Sequence, residues 1–151
     1  MEFRIRPYRP SDFEVLFQID RACFPPGISY PRSELRHFIR QRGSCTWVAD
    51  AGDETIGFLI ACLEPENAVH LVTIDVVASW RRKGIGGALM DVAEEWARQQ
   101  RALLIYLETA EDNLAAHEFY KARRYSKVEK VDHYYSNGAA AWVMAKSLRI
   151  S

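Results

Sequence analysis

The sequence has few cysteines, no excess of charge of either sign and no long apolar run. Its three cysteines, Cys23, Cys45 and Cys62, form no CxxC or Cys/His pattern, which argues against a disulfide framework and a structural zinc site. Twenty basic residues balance twenty acidic ones, so no overall field favours nucleic acid or an anionic membrane. These absences favour a cytoplasmic protein whose basic residues act locally.

The sequence also shows no pattern typical of a secretory leader or of a membrane helix. The first ten residues are charged and lack an apolar centre, and no stretch approaches the roughly 20 apolar residues that a membrane helix needs. The chain does contain 151 residues, of which 48% are hydrophobic, enough to bury a core without cross-links. We therefore expect residues 1–151 to form one domain.

Hydrophobic periodicity predicts the order β-α-α-β-β-β-α-β-α-β-β, a mixed α/β sheet with flanking helices. The most regular helix has an apolar face formed by Ile85, Ala88, Leu89, Val92 and Trp96. The strands before and after this helix, in NAVHLVTIDVVAS and ALLIYLETA, should run parallel through a right-handed crossover. The other strands are expected to pair antiparallel.

The segment RRKGIGG, residues 81–87, joins the fourth strand to this helix. Glycines permit close backbone approach, and free N–H groups at a helix start attract anions. The segment is not a Walker loop, because no glycine is followed by the required Lys-Ser/Thr pair, and it does not follow the first strand as a dinucleotide fingerprint does. From these residues alone, a phosphate cradle and a solvated turn remain equally open.

Two motifs together resemble the GNAT N-acetyltransferases. Arg81-x-x-Gly84-x-Gly86 after a strand resembles the acetyl-CoA loop of that family, and LETAEDNLAAHEFYKARRY, residues 107–125, resembles its second signature. The resemblance implies a single-domain GNAT fold, with a mostly antiparallel sheet and a parallel, splayed pair formed by the fourth and fifth strands.

Within this family the chain is most similar to the RimI-like protein N-terminal (Nα) acetyltransferases, through LETAEDNLAAHEFY and the late segment HYYSNGAAAWVMAKSL. It departs from the family in two places. Arg124-Tyr125 stands where Gly-Phe is usual, which affects the helix exit, and Ala139-Ala140 replaces an acidic pair, which weakens the assignment of a peptide substrate.

The resemblance implies that acetyl-CoA is the cosubstrate and that a primary amine attacks it directly in a ternary complex. Glu108 would act as general base, and Tyr120 would protonate the leaving thiolate. The cofactor-binding residues implied are Ile74, Asp75, Val76, Arg81, Arg82, Lys83, Gly84, Ile85, Gly86, Gly87 and Asn113. Without the motifs, Glu108 is equally a solvated strand end, Tyr120 a packed tyrosine and Asn113 a helix N-cap. The cysteines lie outside both motifs, so no acyl-enzyme is expected.

The resemblance also implies an acceptor, the N-terminal α-amine of a protein, of the ribosomal-protein alanine type. Aromatic residues in two loops would contact it: Phe24, Tyr30, Tyr134 and Tyr135. The alternatives are a small-molecule amine or a lysine side chain as acceptor, or a non-catalytic acyl-CoA-binding module. No metal is expected, because none of the histidines has ligand spacing: His37, His70, His117 and His133 are predicted to be structural or surface residues. We expect no nucleic-acid or membrane partner, and the sequence does not define an oligomeric state.

Overall fold

A computed structural model describes residues 2–149 of the protein. Its strands and helices follow the predicted order. The strands are β1 (Arg4–Pro7), β2 (Ser44–Ala51), β3 (Glu54–Leu63), β4 (Ala68–Val76), β5 (Leu104–Ala110), β6 (Ser126–Val131) and β7 (Ala141–Ser147). The helices are α1 (Phe13–Cys23), α2 (Arg32–Arg40), α3 (Ile85–Gln99) and α4 (Leu114–Ala122). Of the helices described, none is long and apolar enough to cross a membrane.

The seven strands form one sheet in the order β1-β2-β3-β4-β5-β7-β6. Neighbouring strands are antiparallel except β4 and β5, which are parallel because α3 carries the chain back across the sheet. Pairing between these two strands is limited to Ala68–His70 against Leu104–Tyr106. Beyond these pairs the strands separate and leave a gap in the middle of the sheet. The fold class predicted from the sequence, including the splayed pair, is confirmed.

Helices cover both faces of the sheet. On one face α3 packs through the fully buried Leu89 and Met90. On the other face Leu16 of α1 and Leu35 of α2 pack around Phe58 of β3. Each of these buried apolar side chains contributes about 2 kcal/mol, so both helical layers are fixed to the sheet. The α1–α2 loop and the start of α3 are thereby held at the two sides of the gap.

The exit of α4 departs from the usual Gly-Phe. Arg124 has a φ of 73°, in the left-handed region that favours glycine. Tyr125 is buried, and its hydroxyl donates to Glu94 Oε2 at 2.9 Å. Glu94 also accepts from Lys146 Nζ at 3.0 Å. The hydroxyl that phenylalanine would lack therefore ties the segment after α4 to α3 and β7.

Candidate active site

The gap between β4 and β5 opens into a cavity of about 780 Å³, within the size range of small-molecule sites. Its walls are formed by the α1–α2 loop, the end of β4, the turn before α3, the β5–α4 segment and the β6–β7 loop. The predicted site residues that line it are Phe24, Tyr30, Ile74, Asp75, Val76, Arg81, Arg82, Gly84, Gly86, Gly87, Glu108, Asn113, Tyr120, Tyr134 and Tyr135. The structure thus brings together all of the predicted residues except Lys83 and Ile85.

The turn before α3 presents free backbone N–H groups. Gly84, with a φ of 88°, precedes the helix, and no side chain caps it. The first helical hydrogen bond runs from Ala88 N to Gly84 O at 3.0 Å. The N–H groups of residues 85–87 therefore have no partner within the helix, and the positive end of the helix dipole coincides with them. Such an arrangement binds phosphate oxygens.

The side chains of this turn are less suited to the ligand than its backbone. Arg81 Nε donates to a carbonyl oxygen at the end of β4 at 3.0 Å, so this guanidinium closes the turn. The Lys83 ammonium lies 5.1 Å from the centre of the Trp80 ring, and Ile85 is buried in the core. Arg82, with a φ of 63°, remains as a cation at the cavity wall. Cofactor contacts by Lys83 and Ile85 stay predictions.

Glu108 lies on β5 at the gap and is held by a histidine. Its Oε1 is 2.7 Å from Nε2 of His70 on β4. The His70 ring stacks on Tyr106, with centroids 4.7 Å apart and planes at 16°. Tyr106 in turn donates its hydroxyl to Glu64 Oε1 at 2.6 Å. The His70 ring is thus held by Tyr106, and the Glu108 carboxylate that it contacts lines the cavity.

Tyr120 and Asn113 belong to the β5–α4 part of the wall. Tyr120 is buried, and this burial, followed by the nearby Asp75 carboxyl, raises the pKa of its hydroxyl. The phenol therefore stays protonated at neutral pH and is available as a hydrogen-bond donor. Asn113 Oδ1 accepts from Ala116 N at 3.2 Å, so this residue is an N-cap of α4 that also lines the cavity. A cofactor contact by Asn113 stays a prediction.

Two loops, which we call the acceptor loops, meet over the other end of the cavity: residues 24–31 between α1 and α2, and residues 132–140 between β6 and β7. Ser136 Oγ donates to Gly27 O at 3.0 Å and joins them. Burial, followed by the charge of the Glu108 carboxylate, raises the pKa of Tyr134 to about 12, so its hydroxyl stays protonated beside the candidate base. The four predicted aromatic residues therefore line the same cavity as Glu108, and their contact with an acceptor stays a prediction.

Cys23 also lines the cavity, although it lies outside both sequence motifs. Burial raises the pKa of this thiol to about 11, and its Sγ lies 3.5 Å from the Val76 carbonyl oxygen. A protonated thiol is a poor nucleophile, which favours direct attack over an acyl-enzyme. Across residues 2–149, no three His, Cys, Asp or Glu side chains are grouped so that they could hold a metal ion.

A split sheet with an anion-binding helix start and a cavity-facing carboxylate fits a transferase that uses an acyl thioester. Residues 13–124 match the Acetyltransferase (GNAT) family. Because this match covers most of the chain, the protein belongs to that family. It is an acetyl-CoA-dependent N-acetyltransferase, and acetyl-CoA is its cosubstrate.

Similar proteins include several N-terminal acetyltransferases. The chain is 28% identical over 159 residues to an N-alpha-acetyltransferase of Sulfurisphaera tokodaii, covering 97% of this chain and 94% of that protein. Ard1 from Thermoplasma volcanium superposes with a TM-score of 0.91 at 24% identity, covering 99% and 100% of the two chains. The ribosomal-protein-S18-alanine N-acetyltransferase of Escherichia coli gives 0.88 at 16% identity, covering 99% and 96%. These two structures show the shared fold alone. The expected likeness to GNAT N-terminal acetyltransferases is confirmed, whereas the RimI-like subtype stays a prediction.

Sequence reasoning missed two residues of this region, His70 and Asp20. His70 was assigned to the structural or surface histidines, but it contacts Glu108 directly. The signal was the predicted parallel pairing of β4 with β5, which brings His70 opposite Tyr106, two residues before Glu108. Asp20 is fully buried on α1, and its carboxyl acts on that of Asp75.

Proposed function

We propose that the protein acetylates the N-terminal α-amine of a polypeptide, with a ribosomal-protein alanine terminus as the first substrate to test. The observation that carries this proposal is the His70–Glu108 pair below two acceptor loops that bear aromatic side chains. Flat side chains at the mouth suit an extended peptide, whose first amine reaches the carboxylate. The names of similar proteins support the same acceptor. A cytoplasmic location, favoured by three free cysteines, belongs to the proposal.

In this mechanism, backbone groups bind acetyl-CoA, the acetyl donor. The N–H groups of residues 85–87 would bind the pyrophosphate of coenzyme A. The unpaired edge of β4, at residues 74–76, would offer main-chain donors and acceptors to the pantetheine arm and an N–H to the thioester carbonyl. Gly84 and Gly86 line the cavity and would let the diphosphate approach the turn.

The chemical step needs a neutral amine at the thioester carbon. Glu108 takes a proton from the incoming ammonium, directly or through water, while His70 holds the carboxylate in place. The amine then forms the C–N bond as the C–S bond breaks. Tyr120 gives its proton to the departing thiolate and takes up, through water, the second proton that the nitrogen loses. Tyr120, whose raised pKa keeps it protonated, donates a hydrogen bond to the departing sulfur.

An acceptor panel tests the substrate class. The panel holds peptides with free N-terminal alanine or serine, the same peptides with a blocked N-terminus and an internal lysine, and free polyamines and amino acids. Coenzyme A release and mass spectrometry should show acetylation of the free peptide termini. Activity confined to lysine side chains or to the small amines would contradict the peptide assignment, and turnover of none would favour a binding module.

A carboxamide substitution tests the proposed base. Glu108→Gln should lower kcat by on the order of 100-fold, because it removes the proton acceptor while it keeps the shape, and acetyl-CoA affinity should not change. Glu111→Gln is the matched control, since Glu111 is half exposed and pairs with Lys130. Equal activity of Glu108→Gln and the wild type would refute the role of Glu108.

A further inference from the structure

Two buried carboxyl groups face each other behind the cavity wall. Asp20 on α1 is 0% exposed and Asp75 on β4 is 1% exposed. Tyr30 N donates to Asp20 Oδ2 at 2.7 Å, and Thr73 Oγ1 donates to Asp75 Oδ1 at 2.6 Å. The other two oxygens, Asp20 Oδ1 and Asp75 Oδ2, have no donor among residues 2–149. The segments that carry the two carboxyls are in contact, because α1 packs on β4 and the Tyr30 hydroxyl donates to Val72 O of β4. A side-chain hydrogen bond with Asp20 also acts on Asp75.

One proton between the two unpaired oxygens would satisfy both of them. Two ionised carboxylates in contact repel, and burial adds a further cost for each charge, so one member of such a pair is held neutral. Burial, followed by the hydrogen bond and the charge of Asp20, raises the pKa of Asp75 well above its usual range. Asp75 is therefore the member that carries the proton.

The groups around the pair do not remove the need for this proton. Cys23 and Tyr30 face it from the α1 side, and burial raises the pKa of each, so both are neutral. Tyr120 faces it from α4 and is neutral for the same reason. Arg81 is the cation that acts on Asp75, but its guanidinium donates to the Val76 carbonyl and to the Cys23 sulfur.

The Asp20–Asp75 pair connects the first acceptor loop to β4, the strand proposed to bind acetyl-CoA. Asp20 lies in the last turn of α1, directly before the first acceptor loop, and it binds that loop through Tyr30 N. The Tyr30 hydroxyl donates to Val72 O of β4 at 3.2 Å. Asp75 lies near the end of β4, beside the unpaired edge at the gap. A bond between the carboxyls therefore fixes the loop relative to the strand.

We propose that Asp75 donates a proton to Asp20 Oδ1 and that this carboxyl–carboxylate bond positions the first acceptor loop over the thioester. The two residues act through the loop and do not contact the reacting atoms. The positioning of an acceptor rests on the proposed function, whereas the shared proton does not. Loss of the proton at alkaline pH places two like charges in contact and releases the loop, so the acceptor KM rises.

Two substitutions at Asp75 distinguish the effect of the Asp75–Asp20 hydrogen bond from the effect of its titratable proton. In Asp75→Asn the amide N–H replaces the shared proton, so the acceptor KM should lose its alkaline rise. In Asp75→Ala the bond is absent, and the acceptor KM should rise about tenfold at every pH, as expected for a lost hydrogen bond to a charged group. An unchanged acceptor KM in a folded Asp75→Ala would overturn the positioning role.

Infrared spectroscopy detects the proton shared by Asp20 and Asp75 without an activity assay. A protonated-carboxyl C=O band at neutral pH should be present in the wild type and in Glu108→Gln, and absent in Asp75→Asn. Asp50→Asn is the matched control, because Asp50 is a buried carboxylate paired with Arg6 and should not contribute to the band. Survival of the band in Asp75→Asn would overturn the shared proton.

Two further measurements keep the proposal testable if a variant or the peptide assay fails. Asp20→Asn also supplies an amide donor, leaves Asp75 ionised and should remove the same band, so it replaces any Asp75 variant that does not fold. Hydrogen exchange at the Tyr30 amide should be faster in Asp75→Ala than in Asp75→Asn. Equal exchange would refute the positioning role even if no peptide were acetylated, and absence of turnover alone would refute only the proposed function.

Discussion

Substitution of Gly27 by alanine should separate the two acceptor loops. Gly27 has a φ of 89°, and an added Cβ would lie 2.6 Å from Asn137 Cβ and 2.9 Å from Asn137 N. Gly52 in the β2–β3 hairpin has a φ of 60°, but an added Cβ there meets nothing within 4 Å. Both alanines carry left-handed backbone strain of about 1–2 kcal/mol. Only Gly27→Ala adds overpacking against a neighbouring backbone, about 1–3 kcal/mol more.

The assay compares urea unfolding and acceptor KM in the two variants. Gly52→Ala should lose about 1 kcal/mol of unfolding free energy and keep the wild-type acceptor KM. Gly27→Ala should lose more, and its acceptor KM should rise about tenfold, the effect of roughly 1.4 kcal/mol. Acetyl-CoA affinity should be the same in both, because the turn before α3 is not disturbed. If Gly27→Ala behaves like Gly52→Ala in both measurements, the loop contact has no role in acceptor binding.

Two further substitutions test the framework around the site. Tyr125→Phe removes a hydroxyl bond to the buried Glu94 carboxylate and should lower the unfolding free energy by about 2 kcal/mol; wild-type stability in urea would show that the bond is not formed. A side-chain hydrogen bond from Arg6 is the main cause that lowers the pKa of the Asp12 carboxyl below its usual 3.8. The stability that this ion pair gives the folded state is therefore complete above pH 3.8 and is lost as the pH falls through the lowered pKa. Asp12→Asn should therefore be less stable at neutral pH and lose less stability on acidification, as measured by urea unfolding between pH 2 and 7.

The element order and the turn before α3 could be predicted because they depend on local patterns. The apolar face of α3 has helical spacing, and Gly84 precedes its first turn at the position that requires a left-handed φ. The gap itself followed from the family resemblance, because no local pattern shows where two parallel strands stop pairing. The loss of pairing after His70 and Tyr106 is a three-dimensional property of the sheet.

The buried carboxyl pair was missed because each member looked ordinary in its own segment. Asp75 was expected to contact acetyl-CoA. Asp20 nevertheless carried a signal, since it continues the spacing of the buried α1 face formed by Phe13, Leu16 and Phe17. An acidic residue in an apolar stripe needs a partner, but the partner lies on a strand more than fifty residues away. Only the packing of α1 on β4 identifies it.

The gap between β4 and β5 also bears on association with other chains. An unpaired strand edge at the rim of a sheet can recruit strands from other molecules, and the rim strand β6 carries Lys127 and Lys130, charges that discourage such pairing. The unpaired edge of β4 needs no such charges, because it lies inside the molecule, walled by the start of α4 and by the acceptor loops. The sheet thus keeps one edge open for chemistry without exposing it to aggregation.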